Sequence, residues 1–204
     1  GKKPEVASLL DLLTYSVSQM SEAAQQARQK GVVDAELNEL TATTLFVTLT
    51  NVNFDPAAIE QYIRSVVAKT QEIGQKAGLS LSLSFQPASD LKGLIKQGEE
   101  YGYPGSKETD ADIRSLKELL LYGMRGVAAY AHHAAILGQE DDKVYAFIQE
   151  AMASLIGKAK PLEEWLAMVL KCGEINLRAM EILDAGNTTI YGHPQPTEVK
   201  LGHL

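Results

Sequence analysis

Residues Ile113–Gly138, IRSLKELLLYGMRGVAAYAHHAAILG, decide the fold. Leu116, Leu119, Leu120, Met124, Val127, Tyr130, Ala131 and Ala134 recur at three- and four-residue steps, which makes one broad apolar face on a long helix. The stretch has a fainter copy 107 residues earlier. Ser8, Leu9, Leu12, Leu13, Tyr15, Ala24, Ala27, Gly31 and Asp34 fall on Ser115, Leu116, Leu119, Leu120, Tyr122, Ala131, Ala134, Gly138 and Asp141, without a gap. Leucine and alanine coincide often between unrelated amphipathic helices. A shared tyrosine, terminal glycine and following acidic cap, all in register, point to an internal duplication.

Working outward, Pro4 opens the first helix, whose face reads Val6, Leu9, Leu10, Leu13, Val17, Met20, Ala24 and Ala27, and Gly31 closes it. A second helix is expected over Asp34–Thr48, behind its acidic cap, and a third from Asp55-Pro56 to Gly78. Leu79–Phe85 (LSLSLSF) alternates like a half-buried strand but has no partner, so it reads as an extended connector burying alternate side chains. A short helix follows over Ser89–Tyr101, then a dense turn signal, Tyr101–Asp110. After the long helix come Glu140–Ile156 and a last helix from Pro161 to Gly186. The remaining tail, rich in Pro and Gly, is expected as extended chain lying on the bundle. The fold expected is all-α: two related three-helix bundles, the first with connector and short helix over 1–105, the second with its tail over 106–204.

Composition narrows the function. The 204 residues are 45% hydrophobic and 22% charged, enough for a real core, and the formal net charge of -7 argues against nucleic acid. No run is long and apolar enough to span a membrane, and GKKPEVAS is too polar to open a signal peptide. The single cysteine, Cys172, excludes an internal disulfide, fits a reducing cytoplasm and cannot by itself hold an iron–sulfur cluster.

Four blocks carry a family likeness: GKKPEVASLLDLL at the start, TLTNVNFD at Thr48–Asp55, LLLYGMRGVAAYAHHAAILG at Leu119–Gly138, and INLRAMEILDAGNTTIYGHPQPTEV at Ile175–Val199. With them the chain resembles the helical region of hybrid-cluster proteins, also called prismane proteins or hydroxylamine reductases. Nickel–iron carbon monoxide dehydrogenases share a related architecture. The resemblance implies two three-helix bundles and a parent enzyme that reduces hydroxylamine or nitric oxide at an iron–sulfur–oxygen cluster. It also implies, as partners, cluster-binding domains outside these residues. In the family a cysteine-rich segment with a cubane cluster precedes the position of Gly1, and two α/β domains with the hybrid-cluster ligands follow. Neither is among the 204 residues, so no catalytic, cofactor-binding or metal-ligating residue is assigned, and this stretch alone is expected to be inactive. The alternative is a stand-alone helical scaffold, self-associating through an exposed apolar face.

Other candidates read as structural. His132 and His133 point about 100° apart on a helix and cannot chelate one metal as an i, i+4 pair can. His203 in the terminal LGHL superficially resembles a Gly-His ligand motif of the family but lacks the following Asp, and His193 reads as a turn residue. Cys172 among apolar neighbours reads as inert packing. Glu99-Glu100, Glu140-Asp141-Asp142 and Glu163-Glu164 are expected at loops and helix starts, complementing helix dipoles. Gly123 and Gly126, three apart on one face, are expected where another helix approaches closely.

Overall fold

The computed structural model describes residues 3–49, 54–83 and 85–202, and among them every regular element is a helix. They are α1 (Pro4–Gln29), α2 (Ala35–Leu49), α3 (Pro56–Lys76), α4 (Leu91–Tyr101), α5 (Ala111–Ile136), α6 (Asp142–Ile156) and α7 (Leu162–Tyr191). The block Thr48–Asp55 lies partly outside the described residues, and His203 wholly so. The expected all-α class stands.

The helix bounds repeat at the offset of the sequence copy. Shifting by 107 carries both ends of α1 onto α5 and both ends of α2 onto α6. The shared acidic caps explain part of this register. An Asp34 carboxylate oxygen accepts from the Leu37 amide at 2.9 Å and anchors α2 to α3 through Lys76 at 2.8 Å and Lys69 at 3.4 Å. At the equivalent place, Asp141 accepts from the Lys143 amide at 2.9 Å and from Arg178 of α7 at 2.6 Å. Each cap satisfies an orphan helix-end donor and binds a cation of its own third helix.

The short helices, however, are exchanged between the halves. α1 packs chiefly on α3 and on α6; α5 packs chiefly on α7 and on α2. The core is therefore continuous, joining Leu9, Leu13, Val17 and Met20 of α1 to Phe147, Ile148 and Met152 of α6, all buried. Polar bonds cross the same joint. Gln25 donates to the Ala146 carbonyl, and Arg28 donates to Gln149 at 2.7 Å and to both oxygens of Asp142 at 2.8 Å.

The connector behaves as its alternation implies. Leu79, Leu81, Leu83 and Phe85 turn inward while Ser80 and Ser82 face solvent. It leads to α4, capped by Asp90, whose carboxylate accepts from the Gly93 amide at 2.7 Å. Gly98 of α4 has no room for a side chain: a Cβ would overlap the backbone carbonyl of Ser8 on α1. Tyr15, Phe85 and Tyr101 close this corner with ring centroids 5.0–6.4 Å apart.

Two expectations at the C-terminus need correction. The last helix does not stop at Gly186. It continues to Tyr191 and ends at Gly192, whose φ of 75° is the left-handed end conformation. Gly186 is a packing glycine, where a Cβ would come within 2.9 Å of the Leu137 Cβ. The tail beyond is irregular as expected, but residues 193–202 are exposed rather than laid on the bundle.

Two measurements test this packing. Gly98→Ala must push α4 off the Ser8 backbone and should cost roughly 2–3 kcal/mol in urea unfolding. Gly126→Ala, with nothing within 4 Å and no positive φ, should stabilise by about 0.5–1 kcal/mol through helix propensity. The second concerns pH. Burial by itself would raise the Asp34 pKa, but hydrogen bonds from Lys76 and the Leu37 amide, with the Lys69 charge, bring it down to about 2. The native state thus binds fewer protons than the unfolded chain. The resulting stability, roughly 2 kcal/mol, is full above about pH 4 and lost as pH falls through about 2. Asp34→Asn should flatten that limb of an acid titration followed by circular dichroism.

Candidate functional site

The residues singled out for chemistry are held in packing roles. His132 and His133 sit on α5 against Phe46 of α2, the first stacked at 5.2 Å and the second edge-on at 5.1 Å. His132 Nδ1 lies 3.1 Å from the Thr43 hydroxyl. Burial, with the neighbouring His133, lowers the His132 pKa and favours a neutral ring. The pair serves the α2–α5 joint, and no acidic or thiol ligand completes a metal site around it. Among the described residues, no three His, Cys, Asp or Glu side chains come together to hold a metal ion.

Cys172 is buried on α7, and burial alone pushes its thiol up to about 11. A Cβ on Gly123 would meet its sulfur at 2.5 Å, so Gly123 exists to admit Cys172. Gly126 was expected to do the same for another helix, and here the structure differs: its side lies open. An iron–sulfur cluster needs several accessible thiolates, and one buried, protonated thiol wedged against a glycine does not fit that need.

The acidic runs divide. Asp141 is a cap, Asp142 pairs with Arg28, Glu140 accepts from the Tyr145 hydroxyl at 2.8 Å, and Glu163 and Glu164 lie in the first turn of α7. Glu99 and Glu100 instead end α4, where the dipole does not favour them. His193 falls in the exposed tail.

What the structure presents is a surface. α7 buries Trp165, Cys172, Ala179 and Ile182 but exposes Leu166, Leu170, Leu177 and Met180. The exposed set, with Gly173, follows alternating steps of four and three, the seam spacing of a helix that meets another element lengthwise. Beside it, α5 exposes Leu119 and Tyr122. Sequence reading placed Leu166, Leu170 and Met180 on a helix but could not separate this face from the core face, because both are apolar. A second apolar hollow of about 670 Å³ lies between the starts of α1, α3 and α4, lined by Val6, Phe54, Pro56, Leu91 and Ile95.

Residues 1–204 match the model of the Prismane/CO dehydrogenase family throughout. The chain is 50% identical over 207 residues to a hydroxylamine reductase of Solidesulfovibrio magneticus, covering 100% of this chain and 38% of that protein. It is 48% identical over 211 residues to one of Methanocella arvoryzae and 50% over 210 residues to one of Syntrophobacter fumaroxidans, each alignment covering 99% of this chain and 39% of the relative. It thus spans about two-fifths of the length of the curated relatives it matches. The chain belongs to the Prismane/CO dehydrogenase family.

Proposed function

We propose that these residues form the helical domain of a hydroxylamine-reducing enzyme whose iron–sulfur clusters are held by polypeptide outside them. The observation that carries this reading is the match itself. Identity near one-half runs over the whole chain and covers two-fifths of each relative, while among the described residues no three His, Cys, Asp or Glu side chains gather as metal ligands. In this reading the domain is a wall against which the cluster-bearing part packs. The resemblance extends the parent's substrates to nitric oxide, and the lone, reduced cysteine suits a cytoplasmic enzyme. The coincident helix bounds favour a duplicated three-helix unit, with the joint between copies at residues 105–106.

The exposed seam of α7 supports the packing role. A contiguous apolar face on one helix is the usual mark of a contact surface. Its partner in this reading is the remainder of the enzyme; without it, the face is free to associate with a second copy.

Anaerobic treatment of the chain with ferrous iron and sulfide, then desalting and iron analysis, tests the division of labour. Substoichiometric iron without a broad visible absorption band is expected; one bound cluster per chain would contradict the reading. Sedimentation velocity tests the surface. The chain should associate as concentration rises, and Leu170→Glu with Leu177→Glu should leave it monomeric with an unchanged melting temperature.

A further inference from the structure

The two halves match element for element, except that α4 and its connector have no counterpart in the second half. On α1 they cover one definite face. α4 crosses at Ser8, Tyr15 is enclosed by Phe85 and Tyr101, and Ser80–Leu83 runs along Gln19, Glu22, Ala23 and Gln26 across a cleft of about 220 Å³. The same positions on α5 are Ser115, Tyr122, Gly126, Ala129, Tyr130 and His133. From Ser115 to Gly126 that face is open. Leu12 is 0% exposed and its counterpart Leu119 is 54% exposed; Tyr15 is packed in a ring cluster and Tyr122 is 64% exposed. Gly126, in the middle of this face, has no atom within 4 Å of where its Cβ would lie.

We propose that this open face of α5 is the seat of an amphipathic helix and its flanking chain, supplied by the part of the family polypeptide outside these 204 residues, in the position α4 and its connector hold on α1. The inference rests on the reading that the chain is one domain of a longer enzyme. Three observations carry it. The equivalent face of α1 is covered by such a helix of this very chain. Two large apolar side chains, Leu119 and Tyr122, stand exposed on this face. Gly126 forgoes a Cβ although nothing in the chain crowds it, at a cost in helix propensity. Close approach of a covering backbone gives that glycine a use, as Gly98 of α4 has against the Ser8 backbone of α1. A second copy is the other possible occupant, and the test separates the two.

The test compares amide hydrogen exchange of α5 in two settings. One is the chain alone, at a concentration where sedimentation shows a monomer. The other is a chimera in which residues 1–204 replace the aligned stretch of the Solidesulfovibrio magneticus hydroxylamine reductase. Exchange across Ile113–Gly126 is expected to slow at least about tenfold in the chimera. Gly126→Leu is expected to leave the melting temperature of the chain alone unchanged or raised, and to lower that of the chimera by several degrees. Equal exchange in both settings, or a Gly126→Leu effect of the same sign in both, overturns the inference. So does slowed exchange in the chain alone that sets in only as it dimerises, which would make the occupant a second copy. Should the chimera not fold, exchange in the unaltered Solidesulfovibrio enzyme, read over the stretch aligned with Ile113–Gly126, decides between the same outcomes. Cluster content of the chimera is scored separately. A protected α5 in a chimera without clusters supports the covered face and contradicts the enzyme reading.

Discussion

One guanidinium, that of Arg28, holds the joint on which the rest of the structure depends. It sits in the last turn of α1, where a cation also complements the helix dipole. From there it grips Asp142 at the start of α6 through two parallel bonds, takes Gln149 two turns further along the same face, and reaches Asn38 of α2 at 3.1 Å. Gln149 in turn donates to Asn38 at 2.8 Å. A planar fork is needed here, because two carboxylate oxygens and two amide oxygens must be met from one side chain. The hydrogen bonds from Arg28 hold the Asp142 carboxyl below the usual carboxylate range. Three helices from both halves thus meet at one point, and the polar groups they bury there are satisfied by one another.

From that joint the architecture follows. Each long helix lies against the third helix of its own half and the short helix of the other, so neither half keeps a complete core to itself. The resemblance between halves survives in the helix bounds and in the Asp34 and Asp141 caps, while the contacts that matter for stability run across. What differs between the halves is the covering. The first half carries α4 and its connector on the back of α1; the second leaves the back of α5 bare and adds a longer α7 with an exposed seam. Both of these exposed faces belong to helices of the second half.

Much of this could be read from the residues. Glycines at 31 and 138 mark boundaries because each adopts a positive φ, and aspartates at 34 and 141 do so because each satisfies an orphan amide. Gly186 misled, since a glycine that ends a helix and one that admits a neighbouring side chain are the same letter. The difference lies in Leu137, which is distant in sequence and pressed against it in space. The exchange of α2 and α6 was illegible for a related reason. Periodicity shows that a face is buried but does not name the helix that buries it. Gly98 was overlooked because its demand comes from the Ser8 carbonyl, about ninety residues away. Tyr15 and Tyr122 make the same point for the surface: one residue type, one register, opposite exposure.

Interlocking of this kind has a thermodynamic consequence that independent bundles would lack. Trp165, the only tryptophan, is buried in α7 and reports the second half alone, whereas the far-ultraviolet circular dichroism reports all seven described helices. Urea unfolding followed by both signals on the same samples should give a single transition with coincident midpoints and slopes. Two separated transitions, with the fluorescence change displaced from half of the helical signal, would contradict the exchanged packing.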